Sequence, residues 1–228
     1  MNQKICLALD VDSRQRALAL VESLHDLTGM FKVGLQLFTA EGPSLVRDII
    51  AAGGKVFLDL KFHDIPNTVK SAAREAARLG VSMMTIHTSG GSAMMRAVAE
   101  ELQGLPAKPL IVGVTVLTSL NDAVLREVGV TASMSEQVVR MAKLAESSGL
   151  DGVVCSPQEI QSVRSVVGPG FRVVTPGIRM PGQSADDQQR TGTPREAIAA
   201  GADFIVVGRA VTSAANPRAM LETVLQSL

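Results

Sequence analysis

Short, nearly unbroken apolar runs recur along the chain, separated by longer stretches in which apolar residues fall every three or four positions. The runs ICLALD, FKVGL, KVFLDL, SMMTIHT, PLIVGVTV, GVVCS, RVVTP and FIVVGR make eight predicted strands. Continuous rather than alternating apolarity is what strands covered on both faces require, and it points to a parallel sheet. The intervening segments Arg14 to Leu27, Pro43 to Ala52, Thr68 to Leu79, Ala93 to Leu102 and Ser135 to Ser148 carry helical spacing. Gly53, Gly80 and Gly149 follow three of them, where a helix end favours a residue free to turn left-handed. Regular strand and helix alternation, without a Pro/Ser-rich linker, predicts one domain over residues 1–228 of the (β/α)8 TIM-barrel class. An open doubly wound sheet is the alternative assembly of the same units.

Composition narrows the partners. Apolar residues make up 46% of the chain and charged residues 19%, which suits an extensive core and excludes a disordered chain. Lys plus Arg and Asp plus Glu are 22 each, so no net positive field exists to attract a nucleic acid. The absence of Trp and Tyr removes most base-stacking platforms as well, leaving a small molecule as the expected ligand. Cys6 and Cys155 sit in apolar runs and read as buried strand thiols. The first apolar run, ICLALD, is too short for a signal-peptide core or a membrane span, so a cytoplasmic location and no membrane partner are expected.

Polar residues gather where the predicted strands end: Asp10 after strand 1, Asp59 and Lys61 at strand 3, His87 at strand 4, Thr118 after strand 5, Arg179 and Arg209 after strands 7 and 8. In a barrel of this class the C-terminal strand ends build the active site. Asp59 and Lys61 are two residues apart, so both side chains face one side while Leu60 faces the other. Lys32 lies within an apolar strand, and an ammonium turned into the barrel needs carboxylate partners, which Asp59 and Asp10 can supply. A rim salt bridge would need neither this second lysine nor the further carboxylate of Asp64. A site that makes and protonates a carbanion needs alternating charges held rigidly.

The run DLKFHDIPNTV, Asp59 to Val69, resembles the signature of the orotidine 5'-monophosphate decarboxylase family. The similarity extends in order through LALDV, KVGLQLF, VLTS, TPGIR and VVGRAVT, and so spans almost the whole chain. The resemblance implies decarboxylation of orotidine 5'-monophosphate to UMP in de novo pyrimidine synthesis, with no cofactor and no metal. It implies that Lys61 is the proton donor, that Asp59 sits beside the substrate carboxylate, and that Lys32 and Asp64 complete the charged chain. It also implies a homodimer in which Asp64, Ile65 and Thr68 of one subunit reach the partner's ribose or pyrimidine pocket. Asp59 either crowds the departing carboxylate or orients the two lysines; the orienting role is preferred.

The glycine-and-arginine segments after strands 7 and 8 suit a phosphate site, with close backbone approach at Gly208, paired donors from Arg209, and Arg179 adding charge or bracing its loop. The polar, Gln-rich stretch Met180 to Thr193 reads as a lid. By resemblance, Gln188 within it bridges phosphate and pyrimidine, and Thr118 meets the amide edge of the base. Some members of the family use a tyrosine near the phosphate, and this chain has none. Asp10 with Lys32 is suited to the ribose hydroxyls. His63 reads as a packing or dimer residue, His87 as a structural hydrogen-bonding group that could instead line the pocket, and His25 as a solvated helix residue.

Two rivals share these features. Hexulose-phosphate synthases carry a similar Asp-x-Lys-x-x-Asp pattern but use Mg²⁺, for which Glu41 in the second loop region is the nearby acidic candidate. A non-catalytic nucleotide-binding barrel would keep the phosphate segments but has no use for Lys61.

Overall fold

Eight parallel strands, β1 (Ile5–Ala8), β2 (Met30–Gly34), β3 (Val56–Phe62), β4 (Met83–His87), β5 (Leu110–Val114), β6 (Gly152–Val154), β7 (Arg172–Thr175) and β8 (Phe204–Val207), pair in chain order in the computed structural model. The structure describes residues 2–180 and 190–228. The last strand pairs back onto the first, Ile5 opposite Ile205 and Cys6 opposite Val206, so the sheet closes. Closure decides for the (β/α)8 barrel over the open doubly wound sheet.

The continuous apolar runs follow from two buried layers. Cys6, Ala8, Met30, Phe57, Met83, Val112, Val174 and Val206 form one cluster that fills the barrel interior. Ile5, Leu7, Val33, Leu58, Met84, Ile86 and Val153 belong to the larger cluster, facing the surrounding helices. Successive strand residues therefore go to opposite layers, and neither layer is wet. At Gly152 an added Cβ would overlap the Arg172 carbonyl, so β6 and β7 approach as no side chain would allow.

The predicted helices appear with shifted ends. The first is Arg14–Leu24, and His25 at its C-cap is exposed, its ring nitrogen 3.1 Å from the Glu22 carbonyl. The fourth-strand approach is made by Pro66–Arg78, which begins ahead of Thr68 because proline at the first turn gives up only an N–H that would lack a partner. Met134–Ser147 is opened by a capping box between Ser133 and Glu136. The second loop region is itself helical, Leu35–Glu41, followed across Gly42 by Pro43–Ala51. Both cysteines are free and buried, and burial pushes the Cys155 thiol up to about 12. Among the described residues no helix is long and apolar enough to cross a membrane.

Candidate active site

The inward faces of β1, β2 and β3 carry charge where they emerge from the interior layer. Lys32 Nζ donates to Asp10 Oδ1 at 3.2 Å and stands 3.6 Å from Asp59 Oδ2. Lys61 Nζ donates to the other Asp59 oxygen, Oδ1, at 2.9 Å. Asp10, Lys32, Asp59 and Lys61 thus form a row of alternating sign, as the apolar setting of Lys32 demands. Asp59 is at the centre and nearly fully buried.

Burial alone would push the Asp59 carboxyl up, but Lys32 and Lys61 beside it, with hydrogen bonds from Lys61 and Thr85, hold it below the ordinary carboxylate range. Burial would likewise drive Lys32 down, and Asp59 and Asp10 reverse this, so Lys32 is held above its ordinary value. Asp59 and Lys32 are therefore both charged at neutral pH, each stabilised by the other.

β3 reaches this geometry by departing from a regular strand. Its register against β4 runs Leu58 to Met84 and then Phe62 to Ile86, four steps on one strand against two on the other. Asp59, Leu60 and Lys61 lie opposite Thr85 alone. Lys61 has φ +52, the sole positive value at a non-glycine position among the described residues. Such a backbone is uncommon outside glycine and needs support from its surroundings. Thr85 supplies it: the Lys61 N–H donates to Thr85 Oγ1 at 2.8 Å, and the Thr85 hydroxyl donates to Asp59 Oδ1 at 3.0 Å. Thr85 carries no signal in the sequence, since a threonine inside a strand is ordinary until the bulge opposite it is seen.

The row opens on a cavity of about 360 Å³, within the range of small-ligand sites. Thr118, Arg179, Gly208 and Arg209 line the same cavity, over an apolar floor that includes Phe57, Val114 and Val174. A Cβ added at Gly208 would meet Ala8 at 3.5 Å and Asp10 at 3.6 Å, ordinary contact distances, so the backbone of Gly208 lies close beside the charged row. The structure therefore brings Asp10, Lys32, Asp59, Lys61, Thr118, Arg179, Gly208 and Arg209 together. It does not bring in Asp64, Ile65 or Thr68, all exposed outside the cavity. Asp64 accepts a hydrogen bond from the next residue's own N–H, Ile65, at 2.6 Å, and Ile65 is 67% exposed. Gln188, and with it most of the Met180 to Thr193 stretch, lies outside the described residues.

A second buried network brackets the cavity's β5 side. Arg190 forms an ion pair with Glu159 of the short helix after β6 and donates to the Leu117 carbonyl at 2.9 Å, beside Thr118. Glu159 also accepts from the backbone N–H and hydroxyl of Ser156. Three successive loops are joined through one guanidinium. A polar run such as QQRTGT gave no sign that its arginine is 7% exposed.

Glu41 accepts hydrogen bonds from the Arg14 N–H at 3.1 Å and Nε at 3.2 Å and does not line the cavity, which removes it as a metal ligand for the charged row. Among the described residues no three His, Cys, Asp or Glu side chains are grouped to hold a metal. The His63 and His87 rings contact each other, centroids 5.3 Å apart, the former exposed and the latter half-buried. Burial, with His63 and Lys61 nearby, holds His87 below the ordinary histidine value, against a weaker opposing pull from Asp59.

Residues 3–224 match the model of the Orotidine 5'-phosphate decarboxylase / HUMPS family. The chain is 48% identical over 228 residues to the orotidine 5'-phosphate decarboxylase of Pseudoalteromonas translucida, covering 100% of this chain and 97% of the relative. It is 52% identical over 221 residues to that of Moorella thermoacetica, covering 94% and 87%. The crystal structure of orotidine 5'-phosphate decarboxylase from Lactobacillus acidophilus superposes with a TM-score of 0.86 at 39% identity, over 98% of this chain and 97% of that one.

Proposed function

The chain belongs to the Orotidine 5'-phosphate decarboxylase / HUMPS family, and from that premise we propose that it is a carboxy-lyase converting orotidine 5'-monophosphate to UMP in de novo pyrimidine biosynthesis. The observation that carries the reading is the alternating row Asp10, Lys32, Asp59, Lys61 on a cavity that also holds Arg179 and Arg209. Cations at one part of the cavity suit the phosphate, with Arg209 giving paired donors and Gly208 leaving the backbone accessible. Asp10 and Lys32 accept from and donate to ribose hydroxyls, Thr118 meets the amide edge of the pyrimidine, and Gln188 bridges base and phosphate.

Breaking the bond between C6 and the carboxylate releases CO2 and leaves the electron pair on C6, where the ring delocalises it poorly. No cofactor is needed if fixed charge stabilises that pair. The Lys61 ammonium does so as charge develops and then transfers its proton to C6, giving UMP and a neutral amine that regains a proton from solvent. Asp59 holds Lys61 at that point and is itself fixed by Lys32 on its other oxygen. Because these groups are fixed before the reaction, little reorganisation is needed as charge moves.

A homodimer completes the site in this reading, with Asp64, Ile65 and Thr68 reaching across to the partner. Support comes from their exposure and from the 67% exposed Ile65, an apolar side chain that isolation would leave in water. Residues 1–228 act as one catalytic domain, in the cytoplasm where its nucleotide substrate is found.

The test follows the loss of orotidine 5'-monophosphate absorbance with purified protein treated with a chelator. Full activity without metal is expected. Activity only with added metal and a hexulose phosphate would instead assign the Mg²⁺-dependent branch.

A further inference from the structure

We propose that Thr85 is a positioning residue for the decarboxylation, holding Lys61 and Asp59 in reacting geometry through one buried hydroxyl. The proposal rests on the reading above.

Thr85 points into the barrel from the middle of β4, fully buried, one layer above Met83 of the interior cluster. It is the lone β4 residue opposite the bulged stretch Asp59 to Lys61. A regular ladder would pair the Lys61 N–H with a backbone carbonyl of the neighbouring strand. Here that N–H turns to Thr85 Oγ1 at 2.8 Å instead. An amide can only donate, so the hydroxyl oxygen accepts, and its single proton is left for Asp59 Oδ1 at 3.0 Å. Both ends of the bulge are therefore tied to one side chain.

Each bond acts on a different part of the row. The bond from Lys61 N–H supports the backbone at φ +52, which sets the direction in which the lysine side chain leaves the strand. The bond to Asp59 fixes the rotation of a carboxylate whose two oxygens serve Lys61 and Lys32 separately. Without the hydroxyl, a part-buried N–H loses its partner and the carboxylate is free to turn between the two ammonium groups. Neither change touches the phosphate or base contacts, so the effect belongs to the chemical step rather than to nucleotide binding.

Valine keeps the shape of threonine and removes the hydroxyl; serine keeps the hydroxyl and removes a methyl. In Thr85→Val, kcat is expected to fall about 10- to 100-fold, the size of one lost hydrogen bond to a charged group, while the Kd for UMP changes less than about threefold. Thr85→Ser recovers most of the loss. Should the valine variant fail to fold, Thr85→Cys, a close fit with a poor donor, is measured in its place and the same loss is expected. Wild-type kcat in the valine or cysteine variant, a UMP affinity that falls in step with kcat, or a serine variant as slow as valine would each overturn the assignment. A wild-type protein that leaves orotidine 5'-monophosphate unchanged overturns the underlying reading instead.

Discussion

Lys61 combines an unusual backbone with a central place in the charged row, and the two are linked. A lysine at φ +52 costs roughly 1 kcal/mol or more relative to an ordinary strand residue, and the bonds to Thr85 and Asp59 offset it. Since Lys61 acts on charge that exists only during reaction, Lys61→Ala is expected to lower kcat by about 10³-fold or more while UMP binding persists, checked by single-turnover kinetics and calorimetry. Full activity in this variant refutes the role of proton donor. His87 gives a pH prediction from its lowered value. The unfolded chain takes up the proton first as pH falls through about 6.5, so the contribution of His87 to stability is complete above that point and declines below it. Urea midpoints compared from pH ~7.5 to ~5.5 should fall more steeply for the wild type than for His87→Asn.

At the scale of elements, strand ends are where the barrel becomes irregular. β1 ends at Ala8, yet Asp10 still reaches Lys32; β3 runs on to Phe62 through its bulge; the loops after β5, β6 and β7 meet at Arg190. The Arg190–Glu159 pair is buried, with side chains 9% and 6% exposed. Removing one member leaves a buried charge without its partner, so Arg190→Met is expected to destabilise by about 3–5 kcal/mol. Adding Glu159→Gln should recover part of that, because the stranded charge goes too. A chemical-denaturation double-mutant cycle measures both; additive losses would show that the two side chains do not depend on each other.

For the whole molecule, the separation of Asp64 from the cavity makes a specific demand. If each site takes Lys61 from one subunit and Asp64 from the other, Lys61→Ala and Asp64→Asn proteins are each inactive alone. Mixing and reassociating them puts both defects in one site of the heterodimer and leaves the other intact, so about a quarter of wild-type activity returns. No recovery, in a mixture shown by native mass spectrometry to contain heterodimers, would place Asp64 outside the partner's site. Sedimentation of the wild type as a monomer at assay concentration would remove the shared site altogether.

Local pattern was enough to determine the strand runs, the helices between them, the family resemblance and the grouping of Asp59, Lys61 and Lys32, while closure of the barrel and the place of Asp64 outside the row came from the structure. These depend on short-range periodicity and on the high cost of burying an unpaired charge such as Lys32. Even the common face of Asp59 and Lys61 followed from strand alternation, although the backbone achieves it through a bulge. Tertiary structure alone decided that Thr85 lies opposite that bulge, that Arg190 is buried against Glu159 and the Leu117 carbonyl, and that Glu41 is taken up by Arg14. Each of these joins residues between 24 and 73 positions apart in sequence, and such pairings depend on the stagger at which the barrel closes, a property of the whole sheet that no local window contains.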